Sequence, residues 1–112
     1  MVVLKTKKEL TPMLEACRIS AQALQRAGEV IRPGITTAQI DHAIHDFIRS
    51  RGAVPSFLGY GGFPASACIS VNDELIHGIP GPRVIQEGDI VSVDVGAFIG
   101  GFHGDCAATY AC

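Results

Sequence analysis

Residues 90–110 read IVSVDVGAFIGGFHGDCAATY. Val91, Val93, Val95 and Ala97 recur at every second position, the period of a strand with one buried face. Gly100-Gly101 suits the tight two-residue turn of a hairpin, and Phe102 to Tyr110 forms the returning strand. Such a turn sets Ile99 opposite Phe102, and counting back puts Asp94 opposite Ala107. Asp105 then shares Asp94's face as a diagonal neighbour, at roughly 7–8 Å between backbones. A carboxylate inside a β-branched run is disfavoured by strand propensity and expensive if buried. Two carboxylates on one inner face repel unless a cation or a shared proton intervenes. A divalent metal resolves that conflict. A solvated face removes it, because antiparallel sheets often have one wet side.

Upstream of the hairpin the period becomes helical. Over residues 6–31, Leu10, Met13, Cys17, Ala21, Leu24, Gly28 and Ile31 are spaced alternately three and four apart, which predicts an amphipathic helix. Thr6-Lys7-Lys8-Glu9 has the form of a capping box. Pro12 lacks a donor and clashes with the turn behind it, so the helix is expected to kink there or to start afresh with Thr11 as cap. Arg32-Pro33-Gly34 ends it. A second helix is signalled by Thr36-Thr37-Ala38-Gln39, another capping box, followed by a stripe of Ile40, Ala43, Ile44, Phe47 and Ile48. Arg49 and Arg51 suit its negative end, and Gly52 suits a left-handed C-cap. His42 and His45 fall outside the stripe and read as solvated.

Between this helix and the hairpin the chain turns to loops and short strands. Gly59-Tyr60-Gly61-Gly62-Phe63-Pro64 is a glycine-rich loop holding two aromatics, Ala67 to Val71 is a candidate strand, and Ile79-Pro80-Gly81-Pro82 is a stiff turn. His77 lies just before that turn, where Gly78 lets another backbone approach. His103 shares Asp105's face. Each histidine can be a general acid or base, a ligand, or a satisfied polar residue. No glycine motif has phosphate-loop spacing, and Ser66 and Ser70 lack a nucleophile-elbow context.

Composition narrows the classes. With 112 residues, 47% apolar and 18% charged, the chain fits one small globular domain and is too apolar for a disordered segment. A formal charge of −2 gives no basic footprint for nucleic acid or anionic lipid. No window reaches the roughly 18 unbroken apolar residues of a membrane span. Met1 to Glu9 has lysines but no apolar block after them, so no secretory signal is read there and a cytoplasmic location is expected. Cys17, Cys68, Cys106 and Cys112 form no C-x-x-C pair and are expected to be free, buried thiols.

Taken in order, Pro55 to Ser66, Cys68-Ile69-Ser70-Val71-Asn72, His77-Gly78-Ile79-Pro80, Glu87 to Gly96 and Gly101-Phe102-His103-Gly104-Asp105 closely resemble the type I methionine aminopeptidases. The resemblance runs from near Thr6 to the last residue. It implies an α/β (α+β) pita-bread half, with two amphipathic helices packed on an antiparallel sheet that carries a metal-site hairpin. It further implies a metalloaminopeptidase that removes the N-terminal methionine of nascent peptides. Asp94 would bind one divalent metal ion and Asp105 would bridge two, in a two-metal site of Mn, Fe, Co or Zn. His77 matches the family histidine that holds the scissile amide. Tyr60, Phe63 and Cys68 match positions lining the pocket for the methionine side chain. Thioether against aromatic and thiol is favourable packing chemistry.

One departure stands out. The family chain is about twice as long, and its remaining ligands, a histidine and two glutamates, come from the second half and have no counterpart here. Residues 1–112 therefore read as a single unit, the N-terminal half of a pita-bread catalytic domain. A C-terminal half, the nascent-peptide terminus and the ribosome are the partners this implies. Two rival readings stay open: a proline-specific aminopeptidase of the same fold, and a non-catalytic module that docks a peptide terminus.

Overall fold

The computed structural model describes residues 7–58, 65–72 and 79–112, with side chains from residue 11 onward. Helices α1 (Lys7–Val30) and α2 (Thr37–Ser50) come first, followed by strands β1 (Val54–Pro55), β2 (Ala67–Val71), β3 (Ile90–Ile99) and β4 (Phe102–Ala111). The sheet is built around β3. Strand β4 pairs along one side of it, and β1 and β2 share the other side at opposite ends, all antiparallel.

The hairpin forms as its sequence requires. Gly100 and Gly101 have φ of 60° and 85°, and Ile99 pairs with Phe102. Val91, Val93, Val95 and Ala97 are buried and join one core with Ile69 and Val71 of β2 and with the helices. Strand β1 was not legible beforehand. Val54 and Pro55 pair with Phe98 and Ala97, and only the open end of β3 makes these residues a strand.

Helix α1 runs through Pro12, so it does not start afresh at Thr11, and the expected Thr6–Glu9 capping box lies outside the described residues. Its buried stripe is also rotated: Ala16, Ile19, Ser20, Ala23, Leu24 and Ala27 face the sheet, while Cys17 and Ala21 are exposed. The cause is a close approach to β4. A Cβ on Gly104 would run into the Ala16 carbonyl and the Cys17 nitrogen, so small residues on α1 and glycine on β4 let the backbones touch. Ser20 fastens this contact. Its hydroxyl accepts the Ala97 N–H at 3.1 Å and lies 2.8 Å from the Gly104 carbonyl. Ala97 and Gly104 face each other across the ladder. Further along, Tyr110 donates to the Leu24 carbonyl at 2.6 Å.

Helix α2 follows its pattern. Thr36 and Gln39 exchange the two capping-box bonds, at 3.1 and 2.9 Å. Ile40, Ile44 and Ile48 are fully buried, and Gly52 has φ of 76° just past the end. Ala43 and Phe47 are half-buried at the margin of the stripe. All four cysteines are thiols outside any disulfide, as expected, but Cys17 is exposed and the other three are half-buried. Among the described residues no helix is long and apolar enough to cross a membrane.

Candidate metal centre

The register of β3 with β2 and β4 sorts the side chains onto two faces. The helices cover Val91, Val93, Val95 and Ala97, so the alternate residues of β3 point the other way. On that second face Cys68, Asp94 and Ala107 form one row across three strands. The next row contains Gly96 and Asp105, with Ser56 bonded to Gly96 through its N–H at 2.9 Å. His103 follows, opposite Phe98. The structure thus brings Asp94, Asp105 and Cys68 together on one face. Tyr60, Phe63 and His77 lie outside the described residues.

Asp94 is half-buried and Asp105 exposed. Burial first, then a hydrogen bond to Asp105 and the charge of that residue, push the Asp94 carboxyl up to about 6. The protonated Asp94 donates to Asp105, and a single proton relieves the repulsion of the pair. A cation would do the same with more charge.

Beside the pair is a cavity of about 260 Å³ lined by Ser56, Phe57, Gly96, His103, Gly104 and Asp105. Its floor is Gly96, whose Cβ, if present, would sit 3.0 Å from the Ser56 hydroxyl. Ser56 Oγ lies 2.8 Å from His103 Nδ1, and the His103 ring rests on Phe98 with centroids 4.5 Å apart. Ser56 and Gly96 escaped the sequence reading, because neither carries chemistry until β1 brings Ser56 beside β3. A second cavity, about 370 Å³, is lined by Thr37, Ile69, Ile79, Gly81, Pro82 and Arg83 and contains neither aspartate.

His45 corrects another expectation. It is half-buried rather than solvated, with Nδ1 at 2.8 Å from the hydroxyl of the buried Ser66. On the same helix Asp41 accepts the N–H groups of Ser66 and Ala67 at 2.9 and 2.8 Å. These bonds fix the start of β2, and with it the placement of Cys68. His42 is exposed as expected, 3.3 Å from Asp46.

The chain belongs to metallopeptidase family M24, which it matches over residues 12–112. Within that family its likeness is to the methionine aminopeptidases. It is 51% identical over 110 residues to methionine aminopeptidase 1 of Bacillus subtilis, a match covering 98% of this chain and 44% of that protein. The crystal structure of methionine aminopeptidase from Thermotoga maritima superposes with a TM-score of 0.92 at 41% identity, covering 98% of this chain and 45% of that one. Prolidase from Pyrococcus furiosus follows at 0.82 and 26%, covering 96% and 32%. The two helices and antiparallel sheet match the pita-bread fold of the methionine aminopeptidases. The chain spans less than half the length of each of these three proteins.

Proposed function

We propose that this chain is the N-terminal part of a methionine aminopeptidase that removes the first methionine from nascent peptides by metal-assisted hydrolysis. The observation that carries the reading is the Asp94–Asp105 pair, on the sheet face away from the helices, in a chain 51% identical to a methionine aminopeptidase. Asp94 would hold one divalent cation and Asp105 would bridge two. The donors fit: two carboxyls close enough to share a proton offer oxygen ligands to a cation in its place. Among the described residues no group of three or more His, Cys, Asp or Glu side chains is placed to hold a metal ion, so the pair is part of a shell that needs further ligands. Hard oxygen donors favour manganese or iron over zinc.

When bound, the cation supplies Lewis acidity toward the scissile carbonyl. The chain's own residues bind and orient. His77 holds the scissile amide, and Tyr60, Phe63 and Cys68 enclose the methionine side chain. The position of Cys68 directly across from Asp94 supports the last assignment. The cytoplasm, where nascent termini emerge, is the compartment this implies, and contact with the ribosome rests on the nascent substrate alone. Structural likeness to a prolidase favours proline-directed cleavage as the second reading. The higher identity to methionine aminopeptidases weighs against it.

The test is complementation. The chain is co-expressed with the C-terminal part of the Bacillus subtilis relative that it does not match, loaded with manganese, and given Met-Ala-Ser and Ala-Pro-Ser peptides. Release of free methionine, lost with Asp105→Asn, is expected. Cleavage of the proline peptide alone, or turnover indifferent to Asp105→Asn, overturns the reading.

A further inference from the structure

Ser56 and His103 are far apart in sequence, yet Ser56 Oγ and His103 Nδ1 meet at 2.8 Å. Both partners are restrained. The Ser56 backbone is tied to Gly96, and the His103 ring is tilted 37° on Phe98. The contact fits two tautomers: the Ser56 hydroxyl donates to His103 Nδ1 in one, and Nδ1–H donates to the hydroxyl in the other. A neutral imidazole that accepts at Nδ1 keeps its proton on Nε2. The His103 ring lines the same cavity as Asp105.

We infer that His103 is a ligand-contacting residue of this cavity, its Nε2–H donating to an oxygen of the peptide or product held beside Asp105, with Ser56 as the positioning residue that fixes the donating tautomer. The inference deepens the aminopeptidase reading and rests on it. The acceptor class follows from what surrounds the notch. A ligand's amine is drawn to the carboxylates and repelled by an N–H donor, which leaves the ligand's oxygen for His103. A peptide carbonyl and the carboxylate of a released amino acid present the same acceptor chemistry. Gly96 matters here because it leaves the notch between Ser56 and Asp105 open, where a Cβ would crowd the Ser56 hydroxyl and the Gly104 carbonyl.

The probe is L-methionine added to the Zn²⁺-loaded complex of this chain with the C-terminal part of the Bacillus subtilis relative. It is read by nitrogen-15 spectra at neutral pH, with histidines labelled in this chain only and with His103→Ala assigning the resonance. Expected is an Nε2–H tautomer for His103 in the methionine-free complex and a shift of that N–H on adding methionine. His103→Ala should weaken methionine binding about ten-fold, the scale of one hydrogen bond to a charged acceptor, and leave Zn²⁺ affinity unchanged. His103→Gln, which keeps a donor, should lose less. Ser56→Ala should let the tautomer average and weaken methionine, and Ser56→Thr should restore both. An Nδ1–H tautomer, methionine that fails to bind the Zn²⁺-loaded complex, or binding indifferent to His103→Ala overturns the inference while leaving the metal site standing. A complex of the chain with the C-terminal part of the Bacillus subtilis relative that binds no divalent metal at all sinks the aminopeptidase reading, and this inference with it.

Discussion

Cys68 stands directly across the β2–β3 ladder from Asp94. A residue proposed for the methionine pocket and a residue proposed for the cation therefore share one row of one sheet face, where opposed Cβ atoms are roughly 4.5–5.5 Å apart. Their spacing is set by backbone register rather than by loop conformation. A one-residue slip of β2 would turn Cys68 toward the helices and bring Ala67 or Ile69 to the site. The bonds from Asp41 to the first N–H groups of this region oppose such a slip.

The first prediction concerns the chain by itself. Two carboxylates supply charge without the further donors or the proton-transfer group that peptide hydrolysis needs. These residues alone should bind Mn²⁺ weakly by calorimetry, lose that binding with Asp105→Ala, and release no methionine from Met-Ala-Ser. Turnover that tracks Mn²⁺ and disappears with Asp105→Ala would show that this hairpin suffices.

Gly104→Ala should be among the most damaging substitutions in the chain. Its Cβ would meet backbone atoms of Ala16 and Cys17, which cannot rotate away. A loss of about 1–3 kcal/mol or more in urea unfolding is expected, together with weaker cation binding as β4 is displaced. Gly101→Ala is the control: φ is 85° but the space is open, so only the strain of about 1 kcal/mol should appear.

Ser20→Ala should cost about 1–3 kcal/mol, because the Ala97 N–H and the Gly104 carbonyl are buried against α1 and lose the hydroxyl between them. Hydrogen exchange at Ala97 should quicken more than at Val93. Equal protection at both amides would mean that the ladder closes without Ser20.

Asp41 gives a pH dependence with a definite sign. Burial raises its pKa above the ordinary 3.8, outweighing the opposing pull of the Ala67 and Ser66 N–H groups and of His45 and His42. A carboxyl raised in the folded state binds its proton more readily folded than unfolded. Its contribution is therefore greatest in acid and falls as pH rises from 3.8 through the folded value. Asp41→Asn keeps the acceptor oxygen and should flatten that part of the curve of urea midpoint against pH. Asp41→Ala strips two N–H groups of their acceptor and should cost about 1–3 kcal/mol across the range.

The hairpin and the shared face of Asp94 and Asp105 were legible because they rest on local rules. Two glycines in a two-residue turn fix the pairing, and the two-residue side-chain period carries the parity to both aspartates. The face of α1 was not legible. Ala16, Ser20, Ala23 and Ala27 are weak hydropathy signals, and they are buried because Gly104 on β4 admits the helix backbone. A pattern of larger side chains through Met13 and Cys17 outweighed them on sequence alone.

The sequence by itself determined the two helices, strands β2 to β4, the turn and the parity of the acidic pair, since each depends on neighbours within a few residues along the chain. The tertiary structure alone decided what surrounds that pair. Strand β1 exists because the end of β3 offers it an edge, and only then does Ser56 reach His103 across Gly96. His45 leaves solvent because Ser66, on a segment well separated from it in sequence, brings a buried hydroxyl to its ring. Contacts of this kind join groups whose separation along the chain carries no periodic signal, and the fold has to close before either partner meets the other.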